Sequence, residues 1–179
     1  FAFSRGYLST NAQVGVLGQG WSVPGASLTV ALTDESCALR DAQGRTISFG
    51  PLAPGQSRYS PTEQLWLRRG GEQSDDMHIM WQPLDTHVLN DDNVVTLYDG
   101  TSYYLFTAQT TGAWRLTQDL DRNGYATTYH WEADLLVSIE DSAGRRYLWE
   151  YDQALPATQH DTGIRLKGVR LAQHADGTA

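Results

Sequence analysis

Apolar and polar positions alternate with a period of two along much of the chain. Thr127, Tyr129 and Trp131 share one parity, Tyr147, Trp149 and Tyr151 form a second such run, and Tyr103 and Leu105 face away from Tyr104 and Phe106. Successive side chains of an extended strand point to opposite faces, so this spacing predicts half-buried strands. Ring and β-branched side chains suit a pleated surface of that kind. Between the runs lie Asp, Gly, Asn and Pro, at residues 51–55 and 90–93, Asp99-Gly100, Asn123-Gly124, Ala143-Gly144 and Asp176-Gly177. Such residues supply positive φ or a preset bend, and the pattern reads as consecutive hairpins. The sole helix candidate is residues 61–70, with Pro61-Thr62-Glu63 to start it and Gly70 to stop it. Leu65 and Leu67 keep strand spacing there, so a strand is expected.

An internal repeat organises these hairpins. Leu116-Thr-Gln-Asp-Leu-Asp121-Arg-Asn-Gly124-Tyr-Ala-Thr-Thr-Tyr129-His-Trp131 aligns with Leu136-Val-Ser-Ile-Glu-Asp141-Ser-Ala-Gly144-Arg-Arg-Tyr-Leu-Trp149-Glu-Tyr151, every landmark shifted by 20 (141 minus 121, 144 minus 124). A weaker copy runs from Leu39 through Asp41 and Gly44 to Phe49, and a shorter one from Tyr98-Asp99-Gly100 to Phe106. Each unit is strand, Asp-x-x-Gly turn, strand. The Asp accepts a hydrogen bond from the amide two residues on, and Gly takes the left-handed backbone that a Cβ penalises. A lone hairpin is marginal in water, so such units must pair into one sheet.

The units Leu-x-x-Ile/Leu-x-Asp-x-x-Gly, each closed by alternating Tyr and Trp and the second ending in Tyr151-Asp152, resemble the tyrosine-aspartate (YD) repeats of Rhs proteins. The opening Phe3-Ser4-Arg5-Gly6-Tyr7-Leu8-Ser9 and Leu17-Gly18-Gln19-Gly20-Trp21-Ser22 resemble the segment that begins the Rhs shell, and Asp41-Ala-Gln-Gly-Arg45 with Phe49-Gly-Pro-Leu52 fits the stretch between. The resemblance implies an all-β fold: a curved sheet of consecutive antiparallel hairpins, part of a hollow shell wound around a C-terminal toxin of a bacterial polymorphic toxin. It implies residues 1–115 as the region that opens the shell and 116–179 as YD hairpins continuing the same sheet. The implied partners are the rest of the shell, its enclosed toxin and a secretion-apparatus spike or chaperone. Production in the cytoplasm and delivery by a secretion system, in many members type VI, are implied too. The self-cleavage segment and the toxic enzyme of such proteins lie downstream of the matched stretch.

Composition narrows the rivals. The 179 residues carry 13 Lys and Arg against 21 Asp and Glu, a net charge of -8, which disfavours a nucleic-acid backbone as partner. A single cysteine, Cys37, closes no internal disulfide and fits either redox compartment. The longest uncharged run, residues 6–33, is broken by polar residues, glycines and Pro24, too polar for a membrane helix. No charged start with an apolar stretch marks a signal peptide, and both ends read as cut from something longer.

Candidate chemistry adds little. Asp119-Leu-Asp121-Arg-Asn123-Gly124 copies the first half of a calcium loop, but its twelfth position is His130, with Glu132 two residues late. His78 and His87, near Asp75 and Asp76, match no zinc-ligand spacing, and His130, His160 (beside Asp161) and His174 are scattered. Glu140 and Asp141 point to opposite faces of a strand, and Asp91-Asp92 reads as a turn. Cys37 reads as a small core residue whose thiol Glu35 would push up. The six tryptophans, Trp21, Trp66, Trp81, Trp114, Trp131 and Trp149, read as core filling, with a sugar-stacking face as the rival. The expectation is a structural segment with no catalytic, binding or metal-ligating residue, no cofactor and no enzymatic activity of its own. The alternative is a cell-surface module that binds carbohydrate or protein through its aromatic strands.

Overall fold

The computed structural model describes residues 4–12, 14–23, 25–72, 79–158 and 161–172. The features read at Phe3, at Pro24, at Asp75, Asp76 and His78, at His160, and at His174 and Asp176-Gly177 lie outside the described residues.

The chain opens with four two-residue strands, β1 (Gly6–Tyr7), β2 (Val14–Gly15), β3 (Gly18–Gln19) and β4 (Trp21–Ser22); β1 pairs with β4 and β2 with β3. A three-stranded leaf follows, β5 (Thr29–Leu32), β6 (Cys37–Arg40) and β7 (Thr46–Gly50). From there the chain folds back and forth through β8 (Ser57–Ser60), β9 (Leu65–Arg69), β10 (Val94–Tyr98), β11 (Ser102–Ala108), β12 (Trp114–Asp121), β13 (Ala126–Glu132), β14 (Leu135–Glu140), β15 (Arg146–Gln153) and β16 (Ile164–Leu171). Every neighbour in this series is antiparallel, and the order in space is the order in sequence. This path ends at β8 and β16, and the leaf branches from it through β5, which pairs with β12, so that β7 is a third end of the same sheet.

The predicted all-β class and hairpin order therefore hold, and residues 65–69 form a strand as expected. One expectation fails: a short helix does form, at α1 (Thr86–Asn90), away from the 61–70 candidate and just after a 3-10 turn at Ile79–Trp81. Its signal is local. Asp85 caps it, accepting the His87 backbone N–H at 3.0 Å, which satisfies one of the donors left free at a helix start. Five residues are too few to show a 3.6-residue stripe, so periodicity could not reveal it.

Strand alternation divides the core in two. Leu67, Leu97, Phe106, Leu116, Tyr129, Ile139 and Trp149 pack on one face, against Leu39, Ile47 and Val30 of the leaf. Leu105, Tyr103 and Val94 point to the other face, where Trp81, Leu84 and Leu89 of the helical segment cover them. Trp81, Phe106, Leu67 and Leu116 are fully buried, each burial contributing about 1.5–3 kcal/mol or more. Buried Arg68 fastens the helical cover: its Nη1 donates to the Gly55 carbonyl at 2.6 Å and its Nη2 to that of Leu89 at 3.3 Å. Burial lowers its pKa.

Candidate functional surface

The repeated turns agree atom for atom. At Asp41, Asp121 and Asp141 the carboxylate Oδ1 accepts the backbone N–H groups two and four residues on, at 2.8–3.1 Å. In each, the Asp carbonyl accepts from the Gly N–H three residues on, and the Asp N–H donates back to the carbonyl four residues on. The three glycines, Gly44, Gly124 and Gly144, hold φ of 81°, 82° and 75°, which a Cβ would disfavour. Arg45 and Arg145 add ion pairs to their aspartates through Nε, at 2.6 and 2.8 Å. Burial works against ionisation at Asp141, but the Arg145 side chain and the two turn N–H groups outweigh it and hold the carboxyl at about 2.

A second repeated device lies at the far end of each hairpin. Phe106 faces Leu116, Trp131 faces Leu136 and Tyr151 faces Leu166, and after each of these leucines one residue, Thr117, Val137 or Lys167, has no partner across the ladder. These are β-bulges, which bend a strand and increase its twist. The rings reach further: Trp131 Nε1 donates to the Leu116 carbonyl at 2.7 Å, and Tyr151 Oη to the Leu136 carbonyl at 2.6 Å. Both bonds join residues 15 apart, and they repeat after 20 residues (131 to 151, 116 to 136). The spacing was present in the aligned sequence; the bond it serves was not.

At each bulge the strands fork. β12 pairs with β13 only at residues 118–120, while its start, Trp114 and Arg115, pairs with Val30 and Thr29 of β5. β14 pairs with β15 only at residues 138–140, and no strand among the described residues lies on that edge at Leu135. At the third bulge, in β16, the Leu166 N–H donates to the Val16 carbonyl at 2.8 Å. A cavity of about 530 Å³ fills the middle fork, between Trp131, Leu136, Tyr151 and Ile164 on the repeat side and Trp21 and Val23 of the N-terminal segment. Arg115 stands at its rim, its Nε 3.3 Å from Asp134 Oδ1 and its guanidinium 5.4 Å from the centre of the Trp131 ring.

The scattered candidates are not brought together. Asp121 spends its oxygens on Asn123 and Tyr125. Asp119 sits half-buried, its pKa raised by burial and by the charges of Asp99 and Asp121. Among the described residues no three His, Cys, Asp or Glu side chains are placed to share a metal ion. His87 lies in the first turn of α1, and His130 lies in β13 opposite Ser138, its Nε2 buried without a hydrogen-bond partner among the described residues. Asp91 accepts the Asn93 N–H, closing a turn. Glu140 pairs across the sheet with Arg146, while Asp141 belongs to its turn. Cys37 is fully buried, and burial pushes its thiol up to about 11, partly offset by Arg69; Glu35, invoked from sequence, is not the cause. Trp81 and Trp149 are buried, and Trp21, Trp66, Trp114 and Trp131 half-buried. No helix of the described residues is long and apolar enough to cross a membrane.

Two comparisons bear on this surface. Residues 1–49 match a family model described as a domain of unknown function (DUF6531). Over 178 residues the chain is 42% identical to the toxin protein Tse5 of Pseudomonas aeruginosa, a match covering 97% of this chain. The chain spans 14% of the length of that relative.

Proposed function

We propose, from the premise that this chain belongs to the Rhs family of YD-repeat toxins, that it forms the first stretch of a shell wall enclosing a C-terminal toxin domain. The observation that carries this reading is the ladder from β8 to β16: one hairpin per repeat, sequence order kept in space, and no further strand among the described residues paired on β8 or β16. A sheet built this way lengthens by adding units. In this reading residues 1–115 open the shell and 116–179 begin its repeats, although β12 spans that division as a single strand.

The stretch acts by enclosure. It contributes no catalytic residue, cofactor or metal ligand, and its partners are the remaining wall, the enclosed toxin and the spike or chaperone of the secretion apparatus that delivers it to other cells. Toxicity resides in the domain inside. Protease protection of the C-terminal domain in the whole protein tests this: a resistant domain that becomes sensitive when residues 1–179 are deleted is expected, and equal sensitivity with and without them would sink the reading.

A further inference from the structure

The described residues between 4 and 27, the lead, close one side of the cavity of about 530 Å³ with Val14, Val16, Trp21 and Val23, opposite Trp131, Leu136, Tyr151 and Ile164. The lead holds to itself. Strand β1 pairs with β4 and β2 with β3, the Leu8 N–H donates to the Gly20 carbonyl at 2.9 Å, and the Asn11 N–H donates to the Leu8 carbonyl at 3.0 Å. The Tyr7 and Trp21 rings lie 5.0 Å apart, with the Arg5 guanidinium 4.7 Å from the centre of the Trp21 ring. Gly20 approaches Leu8 so closely that an added Cβ would stand 2.9 Å from the Leu8 carbonyl oxygen. A turn sets the lead off from β5: the Ser27 N–H donates to the Val23 carbonyl and the Val23 N–H to Ser27 Oγ, both at 2.9 Å.

The ties from the lead to the wall are point contacts set far apart. Asn11 Oδ1 lies against the turn glycine Gly44, 2.7 Å from where a Cβ would stand, the Val16 carbonyl accepts the Leu166 N–H, and Gly25 passes over the Tyr129 hydroxyl. Val23 is buried in the shared core with Leu17 and Ala26 packed against that core, whereas Phe106, Leu116 and Ile139 of the repeats are buried completely. A segment with little buried apolar surface and a hollow beneath it opens more readily than the strands it covers. Once detached, hairpins of two-residue strands do not persist in water. We propose that the lead is a releasable clasp: it lets go as one unit at residues 27–28, opens the cavity, and bares the strip of Trp131, Leu136, Tyr151 and Ile164 while β10 to β16 stay paired. The wall then has an opening that requires no strand of the ladder to part. This goes beyond the shell reading and does not depend on what the wall encloses.

Native-state hydrogen exchange of the whole protein across low urea concentrations, read at single amides by mass spectrometry, tests the clasp. The amides of Leu8, Asn11 and Leu166 are expected to share one rate and one urea dependence, faster and shallower than those of the amides in β10 and β11. Gly25→Ala places a Cβ 2.5 Å from Tyr129 Oη at a φ of 79° and should raise that shared rate about tenfold, leaving β10 and β11 unchanged. Adding Tyr129→Phe, which removes the oxygen that the Cβ meets, should recover part of the effect. A Leu166 amide that follows β10 and β11, or Leu8, Asn11 and Leu166 amides that each exchange at their own rate, would overturn the clasp. So would a Gly25→Ala chain in which β10 and β11 speed up equally. The unmutated protein decides the matter even where the variant does not fold.

Discussion

The N-terminal 27 residues and the stretch from β10 to β16 are both built of antiparallel strand pairs but are held in different ways. The first has four strands of two residues each; the second has seven strands of five to eight. In the repeats, each hairpin carries its own register: an Asp that organises the turn and a ring that fixes where the strands part. The opening segment has few such devices. It is ordered by what it lies on, through Leu166 to Val16 and through Tyr129, whose hydroxyl stands where a Cβ on Gly25 would fall. Local chemistry is thus enough to build the wall, while the lead depends on the wall being there.

The strongest way to break the contrast is to damage the shared core. Phe106→Ala removes a fully buried ring and should cost about 3–5 kcal/mol in urea unfolding of the whole protein, loosening lead and repeats together. A loss confined to the lead would contradict a common core. Next come the glycines. Gly163 has φ of 73° and its added Cβ would meet the Leu155 carbonyl, whereas Gly124, with φ of 82°, has open space around it. Gly124→Ala should cost about 1–2 kcal/mol from backbone strain alone, and Gly163→Ala clearly more; equal losses would show that the turn, and not its surroundings, sets the cost.

Trp131→Phe and Tyr151→Phe sharpen the comparison within the repeats. Tyr151→Phe deletes only the hydroxyl and its hydrogen bond and should lose about 0.5–1.5 kcal/mol, whereas Trp131→Phe also shrinks a ring packed on the core and under Arg115 and should lose more. The same pair tested by hydrogen exchange should speed exchange near Leu116 and Leu136 respectively. Acid titration gives the smallest effect. The Asp141 carboxyl is held at about 2, below the ordinary carboxylate value of about 3.9, so its contribution is complete above about pH 4 and disappears as pH falls toward 2. Asp141→Asn should flatten that part of the stability curve. Asp119, shifted upward, acts with the opposite sign: its ionisation in the folded state weakens the protein as pH rises through its own pKa, and Asp119→Asn should give a slightly higher urea midpoint at pH 7.

Much of the wall was legible in sequence because its rules are short-range. Parity of Tyr129 and Trp131, Asp four residues before Arg45 or Arg145, and a Gly between them are read directly from neighbouring letters. The hairpin at Ala133 and Asp134 was missed because it turns at positive φ, 46° and 66°, without a glycine. The forks were missed for a deeper reason. Pairing of Val30 with Trp114 joins residues 84 positions apart (114 minus 30), and no local pattern in either strand names the other. The cavity depends on those forks, so the surface with most scope for binding was the least visible part of the chain. The acidic and histidine candidates, by contrast, were visible as letters and proved to be turn, cap and strand positions wherever they lie among the described residues.

The 20-residue step from Leu116 to Leu136 grows to 30 at Leu166, yet the unpaired residue after the leucine and the ring opposite it stay in phase. Eight of the ten additional residues go into the connection between β15 and β16, and the other two add one rung, Gln153 opposite Ile164, beyond the bulge. The bulges act like the wedges of masonry and keep the ladder in phase whatever the number of amino acids between them. A longer outer connection therefore leaves the bulge where it was, because Leu166, like Leu136, keeps the odd residue behind it.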